Sequence, residues 1–327
     1  MSRVVCIGGA AIDRKYRALA AIRPGTSNPV VSERSFGGVA RNVAENVARL
    51  GARASLVSIV GDDDNGRALL ADLDRLGIDT GAVTVSAAHA TAEYVAVLQP
   101  DGELALGLAN MAVFDGITPA LLRGIVSDLG PTWIFADCNL PAETLHDLIR
   151  LARQRILMLA IDAVSTPKVM RLPHDLSGLG VLFLNLDEAR ACLDRPEASP
   201  EDAIRALLAR GAERVVLTLG AGGLVAADPS GIATSGAVAA EIVDATGAGD
   251  ALIAATLVAM LKGASLPDAA RLGTAAAALT VESPVSVRPD LSLALLESTL
   301  NLRASCEKVV PVFREERCAI QERDHRT

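Results

Sequence analysis

Short apolar runs that alternate with helical segments constrain the fold of this chain more than any other feature. Residues 4–7 are apolar and end at two glycines, and residues 39–50 repeat Val and Ala with a helical period. Strands that alternate with helices of this length predict an α/β fold with a doubly wound, mostly parallel sheet covered on both faces. We predict further strands at 56–60, 133–136, 156–161, 181–184 and 215–219, and further helices at 65–76, 141–153, 200–210 and 251–261.

Three segments depart from this alternation. Residues 14–35 contain Pro24 and Pro29 and lack a helical period, and residues 91–108 have the pattern of a hairpin around a Pro-Asp-Gly turn. We expect both segments to form a small accessory β-sheet that projects from the main sheet as a lid. Residues 301–327 are rich in charged side chains, which predicts a solvated tail outside a domain of residues 1–300.

The composition excludes several classes of partner. The chain has a net charge of −8 and only five Phe, two Tyr and one Trp, so it lacks the basic surface and stacking side chains of nucleic-acid-binding proteins. The longest uncharged apolar run, residues 251–261, is too short to cross a membrane, and the N-terminus lacks a signal-peptide pattern. The five Cys and four His show neither disulfide nor zinc spacing. We therefore expect a reduced, cytoplasmic protein that acts on a small molecule.

The strongest chemical signal is the segment D-A-T-G-A-G-D at residues 244–250, which leads into an apolar helix. Gly247, Ala248 and Gly249 leave backbone N–H groups uncovered at a helix N-terminus, where they can stabilise a phosphate or a phosphoryl group in transfer. Asp250 is placed to accept a proton from an attacking hydroxyl. The alternative is purely structural, with the glycines forming a tight turn and Asp250 capping the helix.

Two further segments place glycine or polar residues directly after predicted strands. The turn at residues 217–223 is rich in glycine, which lets backbone approach a phosphate, but it matches neither a P-loop nor a dinucleotide-binding fingerprint. Asn185 and Glu188 supply hard oxygen ligands of the kind that Mg²⁺ prefers, usually through water. The same two residues equally suit the capping box of an ordinary helix.

Near the N-terminus, a carboxylate and an amide accompany uncovered backbone. Asp13 follows the first predicted strand, and Gly37, Gly38 and Asn42 open the first predicted helix. Such groups suit recognition of neighbouring sugar hydroxyls. All these segments fall at the carboxyl ends of predicted parallel strands, where open α/β sheets bind ligands.

Taken in order along the chain, these motifs resemble those of the PfkB, or ribokinase-like, carbohydrate kinase family. The resemblance rests on G-G-V-A-R-N at residues 37–42, N-L-D-E at 185–188 and D-A-T-G-A-G-D at 244–250, and it covers about residues 3–300. It implies a three-layer α/β/α fold with a small β-sheet lid. It also implies phosphorylation of a sugar or nucleoside by ATP with Mg²⁺.

The resemblance further implies a role for each candidate residue. Asp250 would be the catalytic base, and the backbone of residues 247–250 would form the anion hole. The expected sugar-binding residues are Asp13, Gly37, Gly38 and Asn42, and those expected near the nucleotide and Mg²⁺ are Asn185, Glu188, Thr218, Gly220 and Gly223. Asp244 is expected near a monovalent cation such as K⁺. Members of the family often dimerise through the lid, so we expect a homodimer with residues 94–98 at one edge.

A narrower resemblance, to the pseudouridine kinases of this family, concerns the lid and neighbouring loops. It rests on residues 11–16, 26–29, 37–46, 101–103, 137–141 and 288–292. In the lid, Arg14, Lys15, Ser27 and Asn28 are expected to bind a uracil-like base, although these residues also suit a solvated loop. Cys138 departs from the pattern, because a small hydroxyl residue is expected there.

The sequence leaves other functions open. A nicotinamide-dependent oxidoreductase is disfavoured, because residues 4–7 are not followed by G-x-G-x-x-G. A nucleoside sensor without activity is compatible with the fold, since a fold alone does not establish catalysis. Among kinases, the alternative substrates to pseudouridine are ribose, a fructose derivative and inosine.

Overall fold

The computed structural model describes residues 3–127 and 132–307, so most of the tail predicted at 301–327 lies outside the described residues. The strands are β1 (Arg3–Ile7), β2 (Ala11–Ala18), β3 (Val30–Gly37), β4 (Arg53–Val57), β5 (Ile59–Gly61), β6 (Thr84–Ser86), β7 (Ala92–Leu98), β8 (Leu104–Asn110), β9 (Trp133–Asp137), β10 (Met158–Asp162), β11 (Val181–Asn185), β12 (Val215–Thr218), β13 (Leu224–Asp228) and β14 (Gly231–Ser235). The helices are α1 (Val39–Arg49), α2 (Asp64–Arg75), α3 (Pro119–Ser127), α4 (Ala142–Arg155), α5 (Thr166–Val169), α6 (Leu186–Leu193), α7 (Pro200–Ala209), α8 (Ala248–Leu261), α9 (Leu266–Val281) and α10 (Leu293–Glu307). Within these residues, no helix combines the length and apolar composition that crossing a membrane requires.

Alternate side chains of the central strands pack into two separate cores. On β1, Val4 and Cys6 belong to one hydrophobic core, and Val5 and Ile7 belong to the other. Helices α1, α8 and α9 complete the first core, and α3, α4 and α7 complete the second. Successive residues of a strand point to opposite faces, so a run that is apolar throughout requires helices on both sides. The structure therefore confirms the predicted three-layer α/β/α fold.

The main sheet has eight strands in the order β14-β13-β12-β11-β10-β9-β1-β4. The strands from β4 to β12 in this order pair in parallel, and β13 and β14 extend the edge as an antiparallel hairpin. Because parallel strands share one direction, the carboxyl ends of β1, β9, β10, β11 and β12 lie along the same edge of the sheet.

A second sheet has four strands in the order β3-β2-β7-β8 and contains half of segment 14–35 and most of segment 91–108. It is the small sheet predicted from the sequence. On its outermost strand, β8, the side chains of Leu104, Leu106 and Leu108 are more than half exposed. Residues 94–98, expected at the edge of a homodimer, instead lie on β7 between β2 and β8, because the second strand of the hairpin covers that edge. The homodimer itself stays a prediction.

Two predicted strands differ from the structure. The strand predicted at 156–161 begins only at Met158, because α4 continues to Arg155 and Ile156 ends it in the left-handed conformation, with φ of 55°. The strand predicted at 56–60 is divided into β4 and β5 at Ser58, whose hydroxyl donates to the carbonyl of Gly8 at 2.6 Å. In both places an apolar run continues across the boundary of an element, so hydropathy alone does not locate that boundary.

Two glycines with left-handed backbone flank α1 in different surroundings. A Cβ at Gly38 (φ 94°) would lie 2.5 Å from the carbonyl oxygen of Gly9, whereas a Cβ at Gly51 (φ 80°) would meet no described atom within 4 Å. We expect Gly51→Ala to lower the free energy of unfolding by about 1 kcal/mol through backbone strain. Gly38→Ala should lower it by at least about 1 kcal/mol more, because a neighbouring chain segment must also move. Urea unfolding measures both losses, and equal losses would contradict the close approach of Gly9.

Candidate active site

A cavity of about 430 Å³ opens where the carboxyl ends of the parallel strands meet the small sheet. The structure brings together nine of the residues predicted for the site, namely Asp13, Gly38, Asn42, Asn185, Glu188, Thr218, Gly247, Gly249 and Asp250. The cavity is also lined by residues that the sequence analysis did not assign to a site, among them Tyr94, Met111, Phe114, Asn139, Asp162 and Lys168. Its position is the one that strand direction alone predicts for a ligand site.

The N-terminus of α8 presents open backbone to this cavity. Gly247 caps the helix with φ of 83°, and a Cβ there would lie 1.9 Å from the carbonyl oxygen of Ser286, so the position requires glycine. A Cβ at Gly249 would meet no described atom within 4 Å, so nothing in the described chain covers the helix at that point. Helices leave their first amides without internal partners, and these amides attract anions. The geometry suits the predicted anion hole.

Asp250 lies in the first turn of α8 and is buried against α1. Its Oδ2 accepts a hydrogen bond from Asn42 Nδ2 at 2.8 Å. Burial raises the pKa of Asp250 to about 7; the bond from Asn42 opposes this rise, and the nearby carboxylates of Asp137 and Asp13 add to it. A carboxylate with a pKa near neutrality can both take up and release a proton at physiological pH.

Asp13 lines the same cavity as Asp250 and belongs to the small sheet. It lies on β2 in register with Tyr94 of β7, and burial raises its pKa to about 6 against the opposing charges of Lys15 and Arg41. A Cβ at Gly37 would lie 2.0 Å from a carboxylate oxygen of Asp13, so the absence of a side chain there makes room for this carboxylate. Gly37 thus supports the site without lining it.

Asp137 was not assigned to the site from the sequence, although it begins the D-C-N motif at residues 137–139. It is fully buried at the end of β9, where its carboxylate accepts from the backbone N–H of Gly9 at 2.8 Å and of Ala40 at 3.0 Å. Its other oxygen accepts from the N–H of Asn139 at 2.9 Å. Burial raises the pKa of Asp137, and these hydrogen bonds oppose the rise.

Lys168 and Asp162 were also missed. Lys168, on α5, donates from Nζ to Asn139 Oδ1 at 2.6 Å, and partial burial lowers its pKa. Asp162, the last residue of β10, is partly buried, and this burial together with the charges of Asp250 and Glu188 raises its pKa well above the ordinary value. Its place at a strand end is the signal that could have identified it.

At the start of α6, Asn185 and Glu188 form a complete capping box. The N–H of Glu188 donates to Asn185 Oδ1 at 2.9 Å, and the N–H of Asn185 donates to Glu188 Oε2 at 2.8 Å. The two residues thus form the capping box that the sequence also allows, and both nevertheless line the cavity. Thr218 lines it as well, whereas Gly220 and Gly223 lie outside the set of described lining residues.

Three lid residues that were expected to bind the substrate make other contacts or lie outside the cavity lining. Lys15 Nζ lies 2.5 Å from Asp244 Oδ2, so this ammonium is paired with the carboxylate that was expected to bind a monovalent cation. Asn28 closes its own loop, accepting from the N–H of Arg23 at 2.8 Å, and Ser27 lies in the same loop. Neither Ser27 nor Asn28 is among the described residues that line the cavity.

Asp244 in turn holds the chain that leads into the anion hole. Its Oδ1 accepts from the N–H of Thr246 at 2.8 Å and from the hydroxyl of Thr246 at 2.6 Å. Partial burial works to raise the pKa of Asp244, but the hydrogen bonds from Lys15 and Thr246 outweigh it and lower that pKa. The pair of Lys15 and Asp244 thus connects the small sheet to the residues before α8.

Comparison with protein families agrees with this site. Residues 1–291 match the family described as "pfkB family carbohydrate kinase". The chain is 30% identical to the uncharacterized sugar kinase YeiI of Escherichia coli K12, over 88% of this chain and 81% of that protein. It is 28% identical to pseudouridine kinase of the same organism, over 89% and 94%, and 29% identical to guanosine-inosine kinase of Exiguobacterium acetylicum, over 86% and 95%.

Solved structures show the same fold. A carbohydrate kinase from Agrobacterium tumefaciens superposes with a TM-score of 0.81 at 32% identity, covering 92% of this chain and 98% of that one. Arabidopsis thaliana ribokinase, solved with ribose and ATP, superposes with a TM-score of 0.73 at 20% identity, covering 92% and 98%. These comparisons confirm the ribokinase-like fold predicted from the motifs.

The pair of Lys15 and Asp244 predicts a measurable link between the lid and residues 236–247. A partly exposed ion pair contributes up to about 1 kcal/mol, which changes an exchange rate by up to about fivefold. Lys15→Met should therefore accelerate hydrogen exchange at Thr246 about two- to fivefold. Arg14→Met is the matched control, because Arg14 lies on the same strand but pairs within the small sheet, 2.7 Å from Glu93. Equal exchange at Thr246 in both variants would contradict the link.

Proposed function

Because this chain belongs to the pfkB family of carbohydrate kinases, we propose that it transfers the γ-phosphoryl group of ATP to the 5′-hydroxyl of pseudouridine. The reaction forms a bond between phosphorus and the 5′ oxygen, breaks the bond from γ-phosphorus to its bridging oxygen, and releases ADP and a proton. ATP as donor is supported by the ribokinase relative solved with ribose and ATP. Pseudouridine is supported by the similarity to a pseudouridine kinase over most of both chains.

The observation that carries the acceptor assignment is the pair of Lys168 and Asn139 inside the cavity. Their side chains lie 2.6 Å apart and both line it. An ammonium donates to carbonyl oxygens, and an amide both donates and accepts, as the edge of a uracil ring requires. Tyr94 and Phe114 add aromatic surface for the ring. A sugar without a base would leave both polar groups without a ligand partner.

Asp250 would deprotonate the acceptor. Its carboxylate, oriented by Asn42, takes the proton of the 5′-hydroxyl as the oxygen attacks phosphorus. Asp13 holds ribose hydroxyls, and the open amides at Gly249 stabilise charge on the transferring group. Because phosphoryl transfer has a loose transition state, positioning and electrostatics supply most of the rate.

The acidic side of the cavity fits Mg²⁺, which accompanies ATP in this chemistry. Glu188 and Asp162 both line the cavity, and burial raises the pKa of each carboxyl, a penalty that a divalent cation would relieve. In the part of the chain that the structure describes, no group of three or more His, Cys, Asp or Glu could hold a metal ion alone. Water and phosphate oxygens would complete the coordination, and the bound ion would neutralise phosphate charge.

A purine nucleoside is the second candidate acceptor. The guanosine-inosine kinase relative is as similar to this chain as the pseudouridine kinase relative, at 29% against 28% identity. Inosine also presents a carbonyl and an N–H along one edge, which the same amide and ammonium could bind. The two candidates share the site and the chemistry and differ only in the base.

The experiment that tests the proposal measures ADP release with ATP and Mg²⁺ against pseudouridine, uridine, inosine, ribose and fructose. The proposal expects kcat/KM for pseudouridine to exceed the other values at least about tenfold. A preference for inosine would support the second candidate and overturn pseudouridine. Turnover of free ribose or fructose alone would overturn the nucleoside assignment, and ADP release that ignores every acceptor would overturn the kinase assignment.

Asp250→Asn should lower kcat by roughly 10²–10⁴, because the amide cannot accept the proton. In the unaltered protein, kcat/KM should fall about tenfold per pH unit below pH 7, since the pKa of Asp250 is raised to about 7 and only the deprotonated form is active. Steady-state kinetics between pH 5 and pH 9 with the preferred acceptor measure both effects. A loss of tenfold or less in the variant, or a flat acid limb, would show that Asp250 is not the base.

A further inference from the structure

We propose that Arg41 is a positioning residue for Asp250: it fixes the side-chain amide of Asn42 in the orientation that donates a hydrogen bond to the Asp250 carboxylate. The proposal rests on the proposed function in that it takes Asp250 as the base. It assigns a role to Arg41, which does not line the cavity and which the motif analysis left without one.

The relay runs through two consecutive hydrogen bonds that join three residues. Arg41 Nη1 donates to Asn42 Oδ1 at 3.1 Å, and Asn42 Nδ2 donates to Asp250 Oδ2 at 2.8 Å. If the amide were reversed, its NH₂ group would face the guanidinium and its oxygen would face the carboxylate. Both contacts would then join like groups, so the guanidinium selects the orientation that supports an ionised Asp250.

Arg41 is itself held rigidly. It is 4% exposed, and its Nη2 is paired with Glu45 and lies 3.0 Å from Asp72. Nη1 also donates to the carbonyl of Phe36 at 3.3 Å, and the guanidinium lies 5.7 Å from the centre of the Phe36 ring. A rigid donor can impose an orientation on its acceptor, whereas a mobile one would follow it.

The placement of Arg41 is costly for stability, which favours a role beyond packing. Its Nε is buried without a hydrogen-bond partner among the described residues. An unpaired buried donor of this kind destabilises a fold. The remaining guanidinium nitrogens point to the lid strand, to Asn42 and to two carboxylates.

The relay matters because nearby carboxylates favour the protonated form of Asp250. The charged groups that act on it are Asp13 of β2, Asp137 at the end of β9 and Arg41 of α1, and its own charge in turn raises the pKa of Asp162 at the end of β10. The carboxylates of Asp13 and Asp137 favour the protonated form of Asp250. Arg41 and the hydrogen bond from Asn42 oppose them.

Arg41→Met tests the relay, with Arg49→Met as the matched control. Arg49 lies on the same helix and pairs with the same Glu45, 2.5 Å away, but it makes none of the contacts of the relay. After Arg41→Met, Glu45 retains Arg49 and Asp72 retains Arg75, so neither carboxylate is left unpaired. If the Met variant is insoluble, Arg41→Lys replaces it, since it preserves the charge and loses the planar pair of donors.

Two measurements report the protonation state of Asp250: its pKa by NMR and the pH dependence of kcat/KM. Carboxyl ¹³C NMR of Asp-labelled protein, with Asp250→Asn to assign the signal, gives the pKa of Asp250 without turnover. Arg41→Met should raise that pKa, and it should lower kcat/KM at pH 7 about fivefold while the value at pH 9 stays within about twofold of the unaltered protein. Arg41→Lys should move the pKa in the same direction by less, and Arg49→Met should leave it unchanged. A variant that is only less stable would not displace the acid limb of the profile.

A double-variant cycle separates the relay from direct action of the charge. In an Asn42→Leu background the relay is already broken and only the direct charge of Arg41 remains, so adding Arg41→Met should raise the pKa of Asp250 by less than it does in the unaltered protein. An equal change in both backgrounds would overturn the proposal, as would an unchanged pKa in Arg41→Met. Because the NMR readout needs no substrate, it decides the relay even if every acceptor fails, and such failure would count against the proposed function alone.

Discussion

The carboxylate of Asp137 holds together the chain segments that build the cavity. It accepts from the N–H of Gly9, just before the strand that carries Asp13, and from the N–H of Ala40, two residues before Asn42. Its second oxygen accepts from the N–H of Asn139, the partner of Lys168. Backbone packs so closely around it that a Cβ at Gly8 would lie 2.4 Å away. One buried acceptor at the N-terminus of α1, where the helix dipole favours negative charge, thus fixes three parts of the site relative to one another.

The concentration of carboxylates at this edge of the sheet gives the site its chemistry and also costs stability. Burial raises the pKa of Asp13 to about 6 and of Asp250 to about 7, and it also raises that of Asp162 well above its ordinary value. A carboxyl whose pKa is higher in the folded chain stabilises the fold when protonated, and that contribution is lost as pH rises from about 4 through the raised value. Ionisation of these carboxyls at neutral pH therefore comes at a cost to the free energy of unfolding. The same burial gives Asp250 a pKa near the pH at which a general base is most effective.

The fold and the catalytic end of the site follow from local patterns in the sequence. Apolar strands with apolar residues at every position require helices on both faces, and D-A-T-G-A-G-D identifies a helix start with open backbone. Asp137 and Lys168 were missed because each is a single polar residue whose importance depends on what lies across the sheet. The pair of Lys15 and Asp244 joins residues 229 positions apart, which no spacing rule reveals. Asn28 is expected at the substrate from the resemblance carried by residues 26–29, whereas in the structure its side chain makes local hydrogen bonds with the backbone of Arg23 and Thr26.

Two sets of contacts connect the small sheet to Asp250 and to the start of α8. Neither involves the exposed loop of that sheet, residues 19–29. Through β3, the carbonyl and ring of Phe36 contact Arg41, whose neighbour Asn42 holds Asp250. Through β2, Lys15 contacts Asp244, a few residues before α8 begins. A displacement of the small sheet would therefore act on the orientation of Asp250 and on the N-terminus of α8 together, because each is connected to a different strand of that sheet. Under the proposed function, recognition of the nucleobase depends on the rigid core, where Lys168 and Asn139 line the cavity and are the polar groups proposed to bind it.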